Sequence, residues 1–455
     1  MSTARQILKR LLVLTICVLA LLCLSSASSP THAQADAPRF EPSECPMEVP
    51  AEPSIDCGYL IAPEDYGDPA GSTIRLPVIV IHSRSESPAP DPLLFVAGGP
   101  GENALSFVRP FASSPYVESR DVVILQPRGG LYAEPSLDCE YAQLADQGQP
   151  CLKSLLDRGI DLTHYNTQAM VADLDALRQA LDYNTWNLYG ESYGSRLLLL
   201  HMFQYPEGIR SVVLDSAAQP TVNKFEEDPA YLVRALKALF DDCAADPGCA
   251  AVYPELETQL YALIDRLNTE PVTVDVYDNT TGQPVAVVDG DRLLDWINWA
   301  FYQPASPAHP LGYLPLLIDQ LDSGNTDLLL PWVAEQRSWD GILTWGLYFA
   351  TVCQDQFPNT DSDAIAAQAV AHPELGGWQN FAYERALCEA WTLPGTRRMA
   401  AGPVESDIPT LILAGHYDHV TPAAGARAVA TSLDNSYFYE LPGMGHFPSA
   451  YSPCA

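Results

Sequence analysis

Residues 187–200 read NLYGESYGSRLLLL. Gly190, Ser192 and Gly194 form a G-x-S-x-G pattern between a short apolar run and a leucine-rich stretch with helical character. A serine hydroxyl becomes a strong nucleophile at neutral pH only when a neighbouring base takes its proton. Strand, Gly-x-Ser-x-Gly, helix is the context of a nucleophile elbow: the serine sits in a strained turn, and the glycines let strand and helix approach closely. A lone match would more often be a serine in an ordinary turn. The reading therefore depends on whether the chain supplies a base, an acid and an oxyanion hole.

The C-terminal part supplies the first two. PTLILAGHYDHVTP, residues 409–422, sets Asp418 just past the end of a predicted strand. LPGMGHFP, residues 441–448, sets His446 in a glycine-containing loop after the next one. Nucleophile, acid, histidine is one of the chain orders in which such triads occur, the acid fixing the tautomer of the base. Two backbone N–H groups must then face the developing oxyanion. Tyr193, directly after the nucleophile, offers one. The loop Ala97-Gly98-Gly99-Pro100-Gly101 offers the other, from Gly99 first and Gly98 second. His416, Asp418 and His419 could also be read as a metal cluster, but no distant third ligand suggests itself. Neither a metal nor a cofactor is expected, and His416 and His419 are taken as loop or packing residues. His82, His164, His201, His309 and His372 lack any such context and are read as structural.

These residues need a scaffold that presents strand ends. Ile74–His82, Pro92–Ala97, Asp121–Leu125, Trp186–Tyr189, Ile209–Asp215, Pro409–Ala414 and Ser436–Leu441 read as short, uncharged strands, as in a mostly parallel sheet covered on both faces. Helical periodicity runs through Met170–Leu181, Ser192–Gln204 and Ala423–Leu433. The alternation of strand and helix predicts a doubly wound α/β sheet, whose sites form at strand C-terminal ends. Between about 217 and 405 the alternation gives way to a helix-rich stretch. It holds Trp296, Trp299, Trp332, Trp345, Trp378 and Trp391, and only the runs 272–276 and 285–288 look extended. The expected division is a targeting segment 1–35, a core 36–216, an inserted unit 217–405 and the returning core 406–455.

The first segment reads as a signal peptide. Arg5, Lys9 and Arg10 precede the apolar run Leu11–Leu24, and Ala33-Gln34-Ala35 is an A-x-A site, so the mature chain would begin near Asp36. That run is short for a membrane span, and Leu22 before Cys23 is bulky for a lipoprotein site. A secreted or extracytoplasmic protein is expected, with tethering at a cell surface left open and no stable membrane span after cleavage. Export makes disulfides the default, and local spacing suggests Cys45–Cys57, Cys139–Cys151, Cys243–Cys249 and Cys353–Cys388, leaving Cys454 over. The 455-residue chain has a formal net charge of −33, which disfavours nucleic acid and anionic lipid as partners.

Taken together, AGGPG, DVVILQPRGG, LTHYNTQAMVADLDALRQAL, GESYGS, VCQD at 352–355, LILAGHYDHVTP and PGMGHF resemble the secreted prolyl/tripeptidyl aminopeptidase branch of the α/β-hydrolase serine peptidases, over nearly all of the mature chain. The resemblance implies an α/β-hydrolase fold with a mostly parallel central sheet and an inserted, mainly helical cap domain. It also implies a cofactor-free Ser-Asp-His acyl-enzyme mechanism through Ser192, Asp418 and His446. Family members remove N-terminal residues or short peptides, and their caps carry acidic groups that hold the substrate's free α-amine. Residues 216–400 contain 26 acidic and 9 basic residues, and Glu226 and Glu227 are the expected anchors. Proline-specific relatives carry His-Gly-Gly-Pro-Gly and a Trp after the nucleophile. Here Ala97 and Tyr193 stand instead, the tyrosine as in the tripeptidyl branch. The expectation is thus an exported aminopeptidase acting on peptides with free N-termini. The rivals are a carboxylesterase using the same triad on small esters and a non-catalytic α/β-hydrolase binding module.

Overall fold

The computed structural model describes residues 38–275, 285–302, 311–334, 341–378, 381–396 and 402–452. The expected signal segment, His309 and Cys454 lie outside them.

The central sheet has nine strands. They are β1 (Arg39–Pro42), β2 (Ile55–Pro63), β3 (Thr73–Ile81), β4 (Leu93–Val96), β5 (Val122–Leu125), β6 (Trp186–Glu191), β7 (Ile209–Asp215), β10 (Thr410–Gly415) and β11 (Ser436–Leu441). β8 (Val272–Val274) and β9 (Ala286–Val288) form a separate antiparallel pair. The order across the sheet is β1-β2-β3-β5-β4-β6-β7-β10-β11. β5, β4, β6, β7, β10 and β11 run parallel, while β1, β2 and β3 join antiparallel at one edge. All seven strands expected from the sequence are present, and β1 and β2 are additional.

Alternate residues of a strand face opposite sides of a sheet, and the two buried faces are both apolar. Leu94 and Val96 of β4 and Val123 and Leu125 of β5 pack on one side. Leu93, Phe95, Val122 and Ile124 pack on the other, against Leu105, Val108 and Phe111. The helices Thr167–Ala180 and Tyr193–Gln204 cover the first face, with Leu174, Leu177, Leu197 and Leu198 buried on it. This is an α/β-hydrolase architecture with a mostly parallel sheet.

Between β7 and β10 the chain leaves the sheet. The long helix Lys224–Ala245 buries Leu232, Ala235, Leu236, Leu239 and Phe240 at helical spacing, against Leu260, Leu263 and Ile264 of Leu256–Thr269 and Leu293, Leu294 and Ile297 of Gly290–Tyr302. The helices Trp345–Asp355 and Ala382–Trp391 belong instead to the sheet's own core, through Leu347, Phe349, Leu387 and Trp391. Gln354 Nε2 donates to the carbonyls of Leu162 and Tyr165 at 2.9 and 3.2 Å, and Asp355 accepts from the Thr167 N–H at 2.9 Å. The VCQD run thereby roots the inserted stretch on the core. Disulfides join Cys45–Cys57, Cys139–Cys151, Cys243–Cys249 and Cys353–Cys388, the four pairings that local spacing suggests.

One buried ion pair ties two of the sequence motifs together. Arg128 of DVVILQPRGG donates to both carboxylate oxygens of Asp173 at 2.8 and 2.7 Å, and to the carbonyls of Glu64 and His164 at 2.7 and 2.8 Å. Removing one partner of such a pair leaves an uncompensated buried charge. Arg128→Met should therefore cost about 3–5 kcal/mol, read as a lower urea midpoint at unchanged slope. A loss below about 1 kcal/mol would show that Asp173 finds other compensation.

Candidate active site

β6 ends at Glu191, and the helix Tyr193–Gln204 begins one residue later. Ser192 between them has φ +50° and ψ −120°, a conformation costly for a residue with a Cβ and stored only where the surroundings enforce it. The enforcing contacts are close. A Cβ on Gly194 would lie 2.2 Å from the Val96 carbonyl oxygen, and one on Gly190 would lie 2.7 Å from the Gly194 carbonyl carbon. Only glycine fits either place, which is the physical content of the G-x-S-x-G pattern here. Ser195, the other serine of the motif, is buried and bonds the backbone around Ser216 and Ala218.

The elbow brings Ser192 to the other two predicted residues. Ser192 Oγ is 2.9 Å from His446 Nε2, and His446 Nδ1 is 2.9 Å from Asp418 Oδ2. Asp418 lies in the turn after β10, and His446 follows β11 in the loop whose next residue, Phe447, has φ +62° and donates its N–H to Ser216 Oγ. Asp418 Oδ1 accepts from the N–H groups of Val420 and Thr421 at 2.9 and 2.8 Å, and Thr421 Oγ1 donates to Oδ2 at 2.7 Å. Burial alone would push the Asp418 carboxyl up. The charge and hydrogen bond of His446 and the donors of Thr421 outweigh it and hold the group well below the usual carboxylate range. With the acid ionised, Nδ1–H donates to Asp418 and Nε2 is left to accept the Ser192 proton.

Gly99 and Tyr193 line one cavity with Ser192 and His446. Tyr193 is the first residue of its helix, where the N–H has no intrahelical acceptor. Gly99 has φ +104°, a region open to glycine. The Gly98 N–H is committed to Glu102 Oε2 at 3.1 Å, which favours Gly99 as the second donor. Beyond the motif, the Tyr193 hydroxyl is 2.6 Å from Thr167 Oγ1, next to Asp355.

The cavity measures about 570 Å³ and has aromatic walls that include Trp299, Tyr302, Trp345 and Tyr348. Glu226 and Glu227, the expected amine anchors, do not line it. Lys224, Asp228 and Tyr231 do. The helix sets this for Glu226: positions three and four apart share a face, as Lys224, Asp228 and Tyr231 do, and Glu226 lies off it, while Glu227 stands at the edge of that face and does not reach the cavity. The Glu226 carboxylate instead accepts from the Asp361 N–H at 2.7 Å. Glu384 is the other inserted-stretch carboxylate at the cavity. It accepts from the Tyr348 hydroxyl at 2.8 Å and pairs with Lys224, whose ammonium burial pushes down. The sequence carried no signal for Asp228 or Glu384 without the helix phase.

His419 is a packing residue, one of the two readings expected for it. It is buried in the cavity wall, edge-on to Tyr302 at 4.8 Å between ring centroids, and neither ring nitrogen has a partner among the described residues. Burial pushes its imidazole down to about 3, so it is neutral. His416, by contrast, sits between Glu440 and Asp242 at 3.1 and 3.4 Å. Among the described residues no group of three or more His, Cys, Asp or Glu side chains could hold a metal ion, and no helix is long and apolar enough to cross a membrane.

A family model described as alpha/beta hydrolase fold matches residues 91–261, and one described as TAP-like protein matches residues 375–455. Serine protease Hip1 of Mycobacterium tuberculosis is 25% identical over 427 residues, covering 84% of this chain and 79% of its own. Tripeptidyl aminopeptidase of Streptomyces coelicolor is 28% identical over 207 residues, 40% of this chain and 38% of its own. Carboxylesterase B of Mycobacterium tuberculosis is 25% identical over 422 residues, 83% of this chain and 78% of its own.

Proposed function

Belonging to the α/β-hydrolase family with a TAP-like C-terminal part, the chain is a serine hydrolase of the peptidase type, and we propose that it is an exported aminopeptidase that releases N-terminal residues or short peptides. The observation that carries the chemistry is the unbroken hydrogen-bonded line from Ser192 through His446 to Asp418, opening on a walled cavity.

Ser192 attacks the scissile carbonyl while His446 Nε2 takes its proton, and Asp418 holds the imidazole in the accepting tautomer. The N–H groups of Gly99 and Tyr193 receive the oxyanion. His446 then protonates the departing amine. A water, activated by the same imidazole, releases the acyl group. The inserted stretch 217–405 serves as the cap that closes the cavity. Asp228 and Glu384, in place of Glu226 and Glu227, hold the substrate's α-ammonium; four disulfides support an oxidising, extracytoplasmic location.

An esterase reading is favoured by the carboxylesterase relative and uses the same triad. The free amine separates the two. A charged hydrogen bond to a buried carboxylate contributes about 1.5–3 kcal/mol, so N-acetylation of a peptide p-nitroanilide should lower kcat/KM by about 10–100-fold. Asp228→Asn should remove most of that discrimination. Equal turnover of blocked and free substrates would favour the esterase.

A further inference from the structure

We propose that Glu102 and Glu191 form one hydrogen-bonded carboxyl pair that holds the Gly98–Gly99 loop against the nucleophile turn, making both of them positioning residues for the oxyanion hole. The inference rests on the Ser192 hydrolase reading above.

Glu191 is the last residue of β6, directly before the nucleophile, and is 5% exposed. Its Oε1 is buried and finds no N–H or O–H donor among the described residues. The carboxyl of Glu102 is near enough to act on it electrostatically, and both side chains line the same cavity. Glu102 reaches the glycine loop with its other side: Oε2 accepts the Gly98 N–H at 3.1 Å, and its own N–H donates to the Gly98 carbonyl at 3.4 Å. The packing is tight at this point. A Cβ on Gly98 would lie 3.0 Å from Glu102 Oε2, 3.3 Å from Ser192 Cβ and 3.5 Å from the Glu191 carbonyl oxygen. The far side of Glu102 is also fixed, since residues 101–103 pair with 342–344: Thr344 N–H donates to Gly101 O at 2.9 Å and Asn103 N–H to Ile342 O at 2.8 Å. The pair thus couples three things: the turn that carries Ser192, the loop that carries Gly99, and the segment leading into the helix Trp345–Asp355.

Two carboxylates in contact and out of water cannot both ionise cheaply, so one retains a proton and donates it to the other. The other titratable groups facing the pair are Asp215 at the end of β7, Tyr189 on β6 and His446. Asp215 adds negative charge beside them. Burial first, then these neighbouring carboxylates, push the Glu191 carboxyl well up, and burial pushes Glu102 up as well. Loss of the shared proton would replace a hydrogen bond with repulsion. It would also add negative charge beside the place where the oxyanion forms. Both effects oppose the chemical step and neither needs to disturb substrate binding.

The test is steady-state hydrolysis of p-nitrophenyl acetate and of a free-amine peptide p-nitroanilide from about pH 6 to about pH 10, with thermal melts to confirm folding. Glu191→Leu is expected to lower kcat about 100-fold on both substrates with KM changed less than about threefold, since misplacing one oxyanion donor costs about that much. Glu191→Gln, whose amide N–H replaces the shared proton permanently, is expected to recover at least about tenfold of the loss and to move the alkaline fall in kcat to higher pH than in the wild type. Should Glu191→Leu fail to fold, Glu102→Leu and Glu102→Gln read the same contrast from the loop side. Wild-type kcat in a folded leucine variant, a glutamine variant no better than leucine, or coincident alkaline limbs would overturn the proposal. Hydrolysis of the ester alone would sink the peptidase reading while the ester measurements still decide this one; a wild type inert on both substrates would sink both.

Discussion

Ser192→Ala lowers kcat by about 10⁴-fold or more and leaves the melting temperature within a few degrees of the wild type. The expected loss is large because in the proposed mechanism the hydroxyl forms the acyl-enzyme, and what would remain is only the rate enhancement of the oxyanion donors and substrate positioning. The fold should be spared because the hydroxyl's hydrogen bond among the described residues is the one to His446, and alanine keeps the Cβ that the turn already accommodates. Alanine at Ser192 still has φ +50°, so the strain of the elbow is unchanged. Turnover of the variant at a tenth of the wild-type rate would show that the attacking group lies elsewhere. Ser195, three residues on, is no substitute: its hydroxyl is buried and bonded to the backbone of Ser216 and Ala218.

Asp418→Asn is expected to lower kcat about 10³–10⁴-fold with little change in KM. Asparagine keeps the shape and can still accept from Val420 and Thr421 N–H through its carbonyl oxygen. Its amide then presents N–H to His446 Nδ1, which becomes an acceptor. The ring proton moves to Nε2, and the nitrogen facing Ser192 can no longer take its proton. The side chain is fully buried and makes the 2.9 Å bond to His446, so water does not supply the missing acceptor. Melting curves and circular dichroism should match the wild type. A variant retaining more than a tenth of kcat would mean that another carboxylate orients the base. Asp215, at the end of β7 and pushed up to about 6 by burial, is the one to examine first.

How much of this was legible in the sequence depends on how local the signal is. The strands that carry the site are short, apolar and bounded by turns, so β4, β6, β7, β10 and β11 could be placed to within a residue or two. β1 and β2 were not. RFEP is brief, and IDCGYLIAP carries a glycine inside and a proline at its end, features that argue against a strand when read alone. They are stable because the antiparallel edge pairs them, which is a tertiary fact. The triad was legible because each member follows a strand, and strand ends converge. The disulfides followed from separations of 12, 12, 6 and 35 residues.

The cavity wall was not legible for the opposite reason. Asp228 and Glu384 lie on helices of the inserted stretch, and only the rotation of each helix decides which residue faces inward. Glu227 and Glu226 are one and two positions before Asp228, and on a helix each step turns the side chain by about 100°, which is enough to take both out of the cavity lining. His419 directly follows Asp418 in sequence, yet its burial against Tyr302 depends on the helix Gly290–Tyr302, far away in the chain. Glu102 directly follows the AGGPG loop and Glu191 lies inside GESYGS, and nothing in either stretch brings the two carboxyls together.

In the proposed mechanism Ser192 is an activated nucleophile at the head of a Ser-His-Asp line. Incubating the folded protein with a fluorophosphonate and mapping the adduct by mass spectrometry tests it directly. Stoichiometric modification at Ser192 is expected, abolished in Ser192→Ala and strongly slowed in Asp418→Asn. A folded protein that stays unlabelled, or one labelled at another residue, would contradict it.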